Sequence, residues 1–197
     1  MKFPWRSALC AMAAASMLGV PAAHAADAAS GTMFGYTVGD AYPMTDETRI
    51  VARSPARSAL ITLIADSPIK PDDIEQVLLV TTPVSHTIII IGVQQGFQDE
   101  TSAREFARKY LHLLAAKYPG YEADLEVMDR RGRLRFSDEY ELVMTLLEGD
   151  EVKTTDAPWV VEMLYQARLG SAMAQVLAER MDGDVSAMTL TEDNRGL

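Results

Sequence analysis

IEQVLLVT at residues 74–81 is followed by HTIIIIGVQ at residues 86–94 and by DETSAREFARKYLHLLAAK at residues 99–117. The first two runs are rich in β-branched and apolar residues and are joined by a short segment with Pro83, which predicts an antiparallel hairpin. The third run changes to helical spacing and stops at Pro119-Gly120, which predicts an amphipathic helix. We expect residues 88–91 to pack against its apolar face, which comprises Ala103, Phe106, Ala107, Tyr110, Leu113, Leu114 and Tyr118.

Weaker patterns continue on both sides of this unit. A second helix is expected over residues 168–181, ended by Asp182-Gly183-Asp184. The apolar residues of segment 159–165 alternate, which fits a strand, but Pro158 could also start a helix there. The aromatic and β-branched side chains of the segment favour the strand. A turn centred on Gly132 is expected at residues 129–133. Further strands are predicted at residues 34–38, 49–53, 59–65, 121–128, 134–136 and 140–147.

These elements predict an α+β fold, a mostly antiparallel sheet with two amphipathic helices packed on one face. The same order fits two similar strand–strand–helix halves, although the halves share almost no residue identities, so the pattern leaves a duplication open. We expect a disordered segment at residues 26–32, a single domain at residues 33–184 and a flexible tail at residues 185–197.

The first 25 residues have the features of a cleavable signal peptide. Lys2 and Arg6 form a positive start, an apolar run follows, and the small residues Ala23 and Ala25 fit the cleavage rule. The apolar run, residues 8–20, is too short for a membrane anchor, which needs about 20 residues. Cys10 lacks the small residue that a lipoprotein signal requires before it. We therefore expect cleavage after Ala25, or one residue later, and no transmembrane segment in the mature protein.

Composition constrains the compartment and the partners of the mature chain. Its 172 residues suffice to bury a core, and they contain no cysteine, since Cys10 leaves with the signal. Without disulfides or an N-glycosylation sequon, a periplasmic or secreted bacterial setting is favoured. Loss of Lys2 and Arg6 also lowers the formal net charge from −10 to −12. An acidic surface repels nucleic acid, so we expect a protein or an envelope component as partner.

The sequence carries no strong signature of catalysis, metal binding or cofactor binding. The mature chain has two histidines, His86 and His112, without metal-ligand spacing, and no nucleophile elbow or phosphate-binding loop. Ser85 or His86 with Asp66 is conceivable as a hydrolase set only if the fold brings them together. We predict no catalytic residue, no metal site and no cofactor.

One local cluster stands out in this acidic chain. Arg130, Arg131, Arg133 and Arg135 surround Gly132, where a hairpin tip is expected to project them. Guanidinium groups bind carboxylate or phosphate in a bidentate manner. A solvated turn balanced by nearby acids is the alternative. The four arginines are therefore the candidate binding site.

Three classes of function remain open, and an α+β scaffold accommodates all of them. A non-catalytic interaction module is favoured, including an inhibitor of a secreted hydrolase, because an acidic inhibitor suits a basic enzyme. A small-ligand carrier or sensor accessory is the alternative and requires an apolar pocket. A small periplasmic hydrolase ranks third. The presence or absence of a cleft with converging polar groups separates these classes.

Overall fold

The computed structural model describes residues 28, 30–54, 60–67, 69, 71–74, 76–117, 123–128, 130–149 and 156–194. The predicted signal peptide, residues 1–25, and the cleavage site after it lie outside this part of the chain. Tyr118, the last residue predicted for the apolar helix face, also lies outside it.

Ten strands and two helices make up the described part of the protein. The helices are α1, Glu100–Lys117, and α2, Ala172–Asn194. Strands β3 to β10 form one sheet in the order β3-β4-β5-β6-β10-β9-β8-β7, and β1 and β2 form a separate pair. The predicted α+β fold with a large antiparallel sheet is thus confirmed. The strands are β1 (Thr32–Met33), β2 (Tyr36–Thr37), β3 (Arg49–Arg53), β4 (Ile61–Ala65), β5 (Gln76–Thr81), β6 (Ile88–Phe97), β7 (Ala123–Met128), β8 (Arg131–Arg135), β9 (Tyr140–Glu148) and β10 (Trp159–Ala167).

The large sheet consists of two four-stranded antiparallel meanders that meet where β6 pairs with β10. Each meander is followed by one helix, so the predicted repeat of strands and then a helix is present in the fold. The predicted hairpin is confirmed, since Val77 lies opposite Val93 and Leu79 lies opposite Ile91. The ambiguous segment is a strand, as favoured, because its alternating apolar side chains place Val161 and Tyr165 in the core.

Helix α1 begins after Asp99, whose carboxylate accepts hydrogen bonds from the backbone N–H and the hydroxyl of Ser102, both at 2.8 Å. The backbone hydrogen bond is the main reason why the pKa of Asp99 lies below its usual value. The helix contacts β6, β10, β9 and β8, and Phe106 packs between Phe97 and Tyr110. It therefore covers the centre of the sheet and the second meander.

The predicted apolar face of α1 is wrong at one position. Leu113 is 47% exposed, whereas Leu111 is 4% exposed and belongs to the core. Two residues apart on a helix correspond to about 200° of rotation, so only one of the two leucines can face the sheet. The side of α1 that packs on the sheet runs through Ala103, Ala107 and Leu111.

Helix α2 is longer than expected and starts later. Ser171 caps it by accepting the Ala174 N–H at 3.1 Å. The expected end at residues 182–184 is wrong, since the helix continues to Asn194 and includes much of the expected tail. The reason is tertiary, because Asp184 accepts the N–H groups of Val84 and Ser85, at 3.0 and 2.7 Å, and so fixes the helix to the β5–β6 turn. This anchoring offsets the cost of about 1 kcal/mol for the glycine at position 183.

The N-terminal region differs from the expectation in two ways. Residues 34–38 do not form one strand, because Phe34 and Gly35 have φ angles of 53° and 82° and turn the chain between β1 and β2. Positive φ at both central residues is typical of a type I′ hairpin turn. In the segment expected to be disordered, Ala28 is buried, and its carbonyl accepts a hydrogen bond from the Tyr165 hydroxyl. Packing therefore begins before Met33.

Candidate functional site

The arginine-rich segment is a strand rather than a hairpin tip, so the expected turn centred on Gly132 is wrong. Gly132 lies within β8, opposite Met144 of β9, and only Arg130 lies in the preceding turn. A β-carbon at position 132 would lie 2.7 Å from Cδ1 of Leu111. A side chain here would therefore displace Leu111, and glycine lets β8 pass directly beneath α1 without that shift.

The alternation of β8 places Arg131, Arg133 and Arg135 on one face of the strand, and Arg130 precedes the strand. Arg133 and Arg135 lie on the opposite face of the strand from Gly132, which contacts α1. Arg133 Nε lies 3.4 Å from Oε2 of the largely buried Glu141, and Arg135 is directly opposite Glu141 in the sheet. These two arginines are thus placed next to an acid on the face away from α1, and not with Arg130.

Arg130 and the start of β8, at Arg131 and Gly132, line a cleft between α1 and the strands β8 and β9, and the side chain of Arg131 belongs to the face away from α1. Helix α1 adds two more arginines, Arg104 and Arg108, which lie one turn apart. We call this site the arginine cleft. Its cavity volume is about 40 Å³, and its mouth is open to solvent. The complete lining is Arg104, Ala107, Arg108, Leu111, Arg130, Arg131, Gly132, Met144 and Leu146.

Two of the four arginines are already paired with acids. Arg104 Nη2 lies 2.6 Å from Oε1 of Glu100, and Arg130 Nη2 lies 2.7 Å from Oε1 of Glu148. The guanidinium of Arg130 also lies over the indole of Trp159, 5.6 Å from the ring centroid. These contacts hold Arg104 and Arg130 in place at the rim.

Arg108 is the arginine of the cleft that is available to a ligand. It is exposed, and within the described residues it takes part in no ion pair. With three guanidinium groups, those of Arg104, Arg108 and Arg130, and two acids at its rim, the arginine cleft is a local positive site on a chain of formal net charge −10. An incoming carboxylate or phosphate therefore meets the unpaired guanidinium of Arg108 above an apolar floor.

The chemistry of the lining favours binding over catalysis. Its side chains are guanidinium, aliphatic and thioether groups, and glycine adds backbone alone. General acid–base or nucleophilic catalysis needs a group that exchanges a proton or attacks near neutral pH, and none of these side chains does so. The cleft can hold and orient an anion. Across the described residues, no cluster of three or more metal-ligating side chains occurs either.

The conceivable hydrolase set is arranged differently from a catalytic triad. Ser85 Oγ lies 3.0 Å from Oδ2 of Asp184, with no histidine between them. Asp66, the acid considered from the sequence, uses its backbone carbonyl to accept from Tyr36. Burial alone would raise the pKa of Asp184, but its hydrogen bonds from Ser85, Thr82 and Val84 outweigh this effect and hold the pKa below its usual value. Asp184 thus anchors a loop as a stable carboxylate.

Arg104 and Arg108 were missed because they lie more than twenty residues from the arginine-rich segment in sequence. Their spacing of four residues is a helical signal, but it is shared by any solvated helix face. Only the crossing of α1 over β8, which Gly132 permits, brings them to Arg130 and Arg131.

Comparison with protein-family models, with curated proteins and with solved structures finds no match to this chain. In the part of the chain that the structure describes, neither helix has the length and apolar character needed to cross a membrane.

Proposed function

We propose that this chain is an exported, non-catalytic interaction protein whose arginine cleft binds a carboxylate or phosphate group of its partner. The observation that carries the proposal is the convergence of Arg104, Arg108 and Arg130 on one apolar-floored cleft in an otherwise acidic protein. One of them, Arg108, is exposed and without an ion pair among the described residues.

The dimensions of the cleft favour one group of a large partner over a whole small molecule. Pockets that enclose a small ligand have volumes of about 300–1,000 Å³. The cavity here is about 40 Å³. This supports an interaction module and weighs against the small-ligand carrier. The absence of an acid, base or nucleophile from the lining weighs against a hydrolase.

The predicted export signal supports a periplasmic or secreted location, with a protein or envelope component as partner. Because the chain as a whole is acidic, long-range electrostatics do not draw an anionic partner toward it. Recognition then depends on short-range contacts with the guanidinium groups, which added salt weakens at this exposed site. An acidic chain also repels nucleic acid over most of its surface.

Affinity capture with matched variants tests this proposal. The mature protein is immobilised and exposed to periplasmic and envelope extract, and the captured partner is then titrated in isolation. Arg104→Ala/Arg108→Ala should weaken binding by roughly tenfold or more, the value of a lost charge-assisted contact. Arg49→Ala/Arg53→Ala is the control, because it removes the same charge from the exposed edge strand β3.

Two outcomes decide between the alternatives. If the cleft variant loses the partner while the β3 control keeps it, the cleft is the binding site. If both variants bind the partner as the wild type does, or both lose it equally, the arginine cleft is not the site of recognition.

A further inference from the structure

The floor of the arginine cleft is apolar on both of its sides. From α1, Ala107 and Leu111 lie one turn apart on the side of the helix that packs on the sheet. From β9, Met144 and Leu146 are both buried, and Gly132 of β8 lies opposite Met144 without a side chain of its own. Among the described residues that line the cleft, only the arginines have polar side chains.

The guanidinium groups border this floor directly. Arg104 and Arg108 form the row of α1 next to the one that contains Ala107. Arg130 lies on the opposite side, where its carbonyl accepts the Leu146 N–H at 2.8 Å and so ties it to the floor strand. Because the cavity is only about 40 Å³, charged rim and apolar floor lie close together. A ligand that uses both must carry its anionic group and its apolar group on neighbouring atoms.

The charge of the rim matches a monovalent anion. Glu100 and Glu148 lie 2.6 and 2.7 Å from Nη2 of Arg104 and of Arg130, so three guanidinium groups and two carboxylates leave one net positive charge. A carboxylate carries one negative charge, and the unpaired guanidinium of Arg108 can bind it in a bidentate manner. A phosphate monoester carries nearly two negative charges at neutral pH and would be repelled by the two glutamates. The rim therefore favours a carboxylate.

The size of the cavity restricts the apolar group beside that carboxylate. A volume of about 40 Å³ has room for roughly three water-sized groups. The methyl group of alanine or the branched end of valine fits this space, whereas an aromatic ring does not. In a polypeptide, only the C-terminal residue carries a carboxylate and a separate side chain on the same carbon atom. The carboxylate of an internal aspartate or glutamate ends its own side chain and has no apolar branch beside it.

We propose that the arginine cleft binds the free C-terminus of a polypeptide that ends in a small aliphatic residue, alanine or valine. The carboxylate lies on Arg108, and the last side chain lies on the floor formed by Ala107, Leu111 and Met144. This inference rests on the proposed function, since it names the group that the same cleft recognises. Capture of a chain end is an established mode of peptide recognition, and it requires little buried area.

Titration of the mature protein with N-acetyl-Ala-Ala-Ala as the free acid and as the C-terminal amide tests the role of the carboxylate. The emission of Trp159 reports binding, because its indole lies 5.6 Å from the Arg130 guanidinium. The acid should bind saturably, and the amide should bind roughly tenfold or more weakly because it lacks the charge. Arg108→Ala should weaken binding of the acid by a similar factor. Arg49→Ala is the matched control on the exposed edge strand β3 and should leave binding unchanged.

A series of last residues tests the role of the floor without any change to the protein. N-acetyl-Ala-Ala-Gly acid should bind roughly fourfold more weakly than the alanine acid, the value of one buried methyl group. N-acetyl-Ala-Ala-Phe acid should bind no more tightly than the glycine acid, because its ring exceeds the cavity. The inference is overturned if the alanine acid shows no saturable binding, if it binds no more tightly than its amide or the glycine acid, or if the phenylalanine acid binds more tightly than the alanine acid.

Failure of the inference is separable from failure of the proposed function. Tetraglutamate that is N-acetylated and C-terminally amidated carries side-chain carboxylates and no free chain end. If this blocked peptide binds in a manner that depends on Arg108, while the alanine acid binds no better than its amide, recognition of a chain end is refuted and the anion-binding cleft stands. If neither peptide binds, both proposals fail.

Discussion

Replacement of Leu111 by alanine should destabilise the protein far more than the same replacement at Leu113. Leu111 is 4% exposed and lies against β8 at Gly132, whereas Leu113 is 47% exposed. A buried Leu→Ala substitution costs about 2.7–5 kcal/mol, from lost burial and the cavity left behind. We expect about 3 kcal/mol for Leu111→Ala, since the mouth of the arginine cleft allows partial relaxation, and less than about 1 kcal/mol for Leu113→Ala.

Thermal and denaturant unfolding of the mature protein measure this difference. For a domain of this size, 1 kcal/mol corresponds to roughly 2–4 °C, so Leu111→Ala should lower Tm by roughly 6–12 °C. The two variants make the same chemical change on one helix, and alanine is a good helix former at both positions. Equal losses, or a larger loss for Leu113→Ala, would refute the placement of α1 over β8 and with it the wall of the arginine cleft.

Three further outcomes follow from the contacts described. Folding lowers the pKa of Asp184. The ionised carboxylate therefore stabilises the folded protein at pH values above the unfolded-state pKa of about 4. This stabilisation is lost as the pH falls through the lower pKa of the folded state. Asp184→Asn should therefore reduce the loss of Tm between neutral and strongly acidic pH, and an unchanged acid profile would exclude Asp184 as a cause. Tyr165→Phe should cost about 1 kcal/mol in urea unfolding, because it removes the hydrogen bond to the Ala28 carbonyl; no loss would show that the N-terminal segment is not anchored there. If the predicted signal is cleaved, the intact mass of the protein should correspond to a start at Ala26, or at Asp27 for a cut one residue later, and retention of Met1 or a lipid adduct would contradict the predicted cleavage.

The parts of the fold with strong periodic patterns were predictable from the sequence. The β5–β6 hairpin and the start of α1 follow from local signals, namely the β-branched run at residues 88–91 and the cap at Asp99. The choice between Leu111 and Leu113 was not predictable in the same way. Both leucines fit an apolar helix face, and only the position of the sheet decides between them.

The extent of α2 and the composition of the site depend on contacts between distant residues. Residues 182–184 have the local features of a helix end, but Asp184 binds the turn at residues 84 and 85 and the helix continues. The arginine-rich segment was predicted as a binding site, and this stays a prediction. The placement of Arg131, Arg133 and Arg135 on the face of β8 away from α1, and the addition of Arg104 and Arg108 from α1, depend on how helix and strand cross.

Titration of the mature protein with tetraglutamate, followed by the emission of Trp159, is the most direct test of the central claim that the arginine cleft binds an anion. Trp159 is the only tryptophan left once Trp5 is removed with the predicted signal, and it lies beneath Arg130 at the rim of the cleft. We predict a saturable change in emission that needs roughly tenfold more peptide in Arg104→Ala/Arg108→Ala and is unchanged in Arg49→Ala/Arg53→Ala. A cleft variant that binds tetraglutamate as tightly as the wild type, or a wild type that shows no saturable change, would contradict the claim.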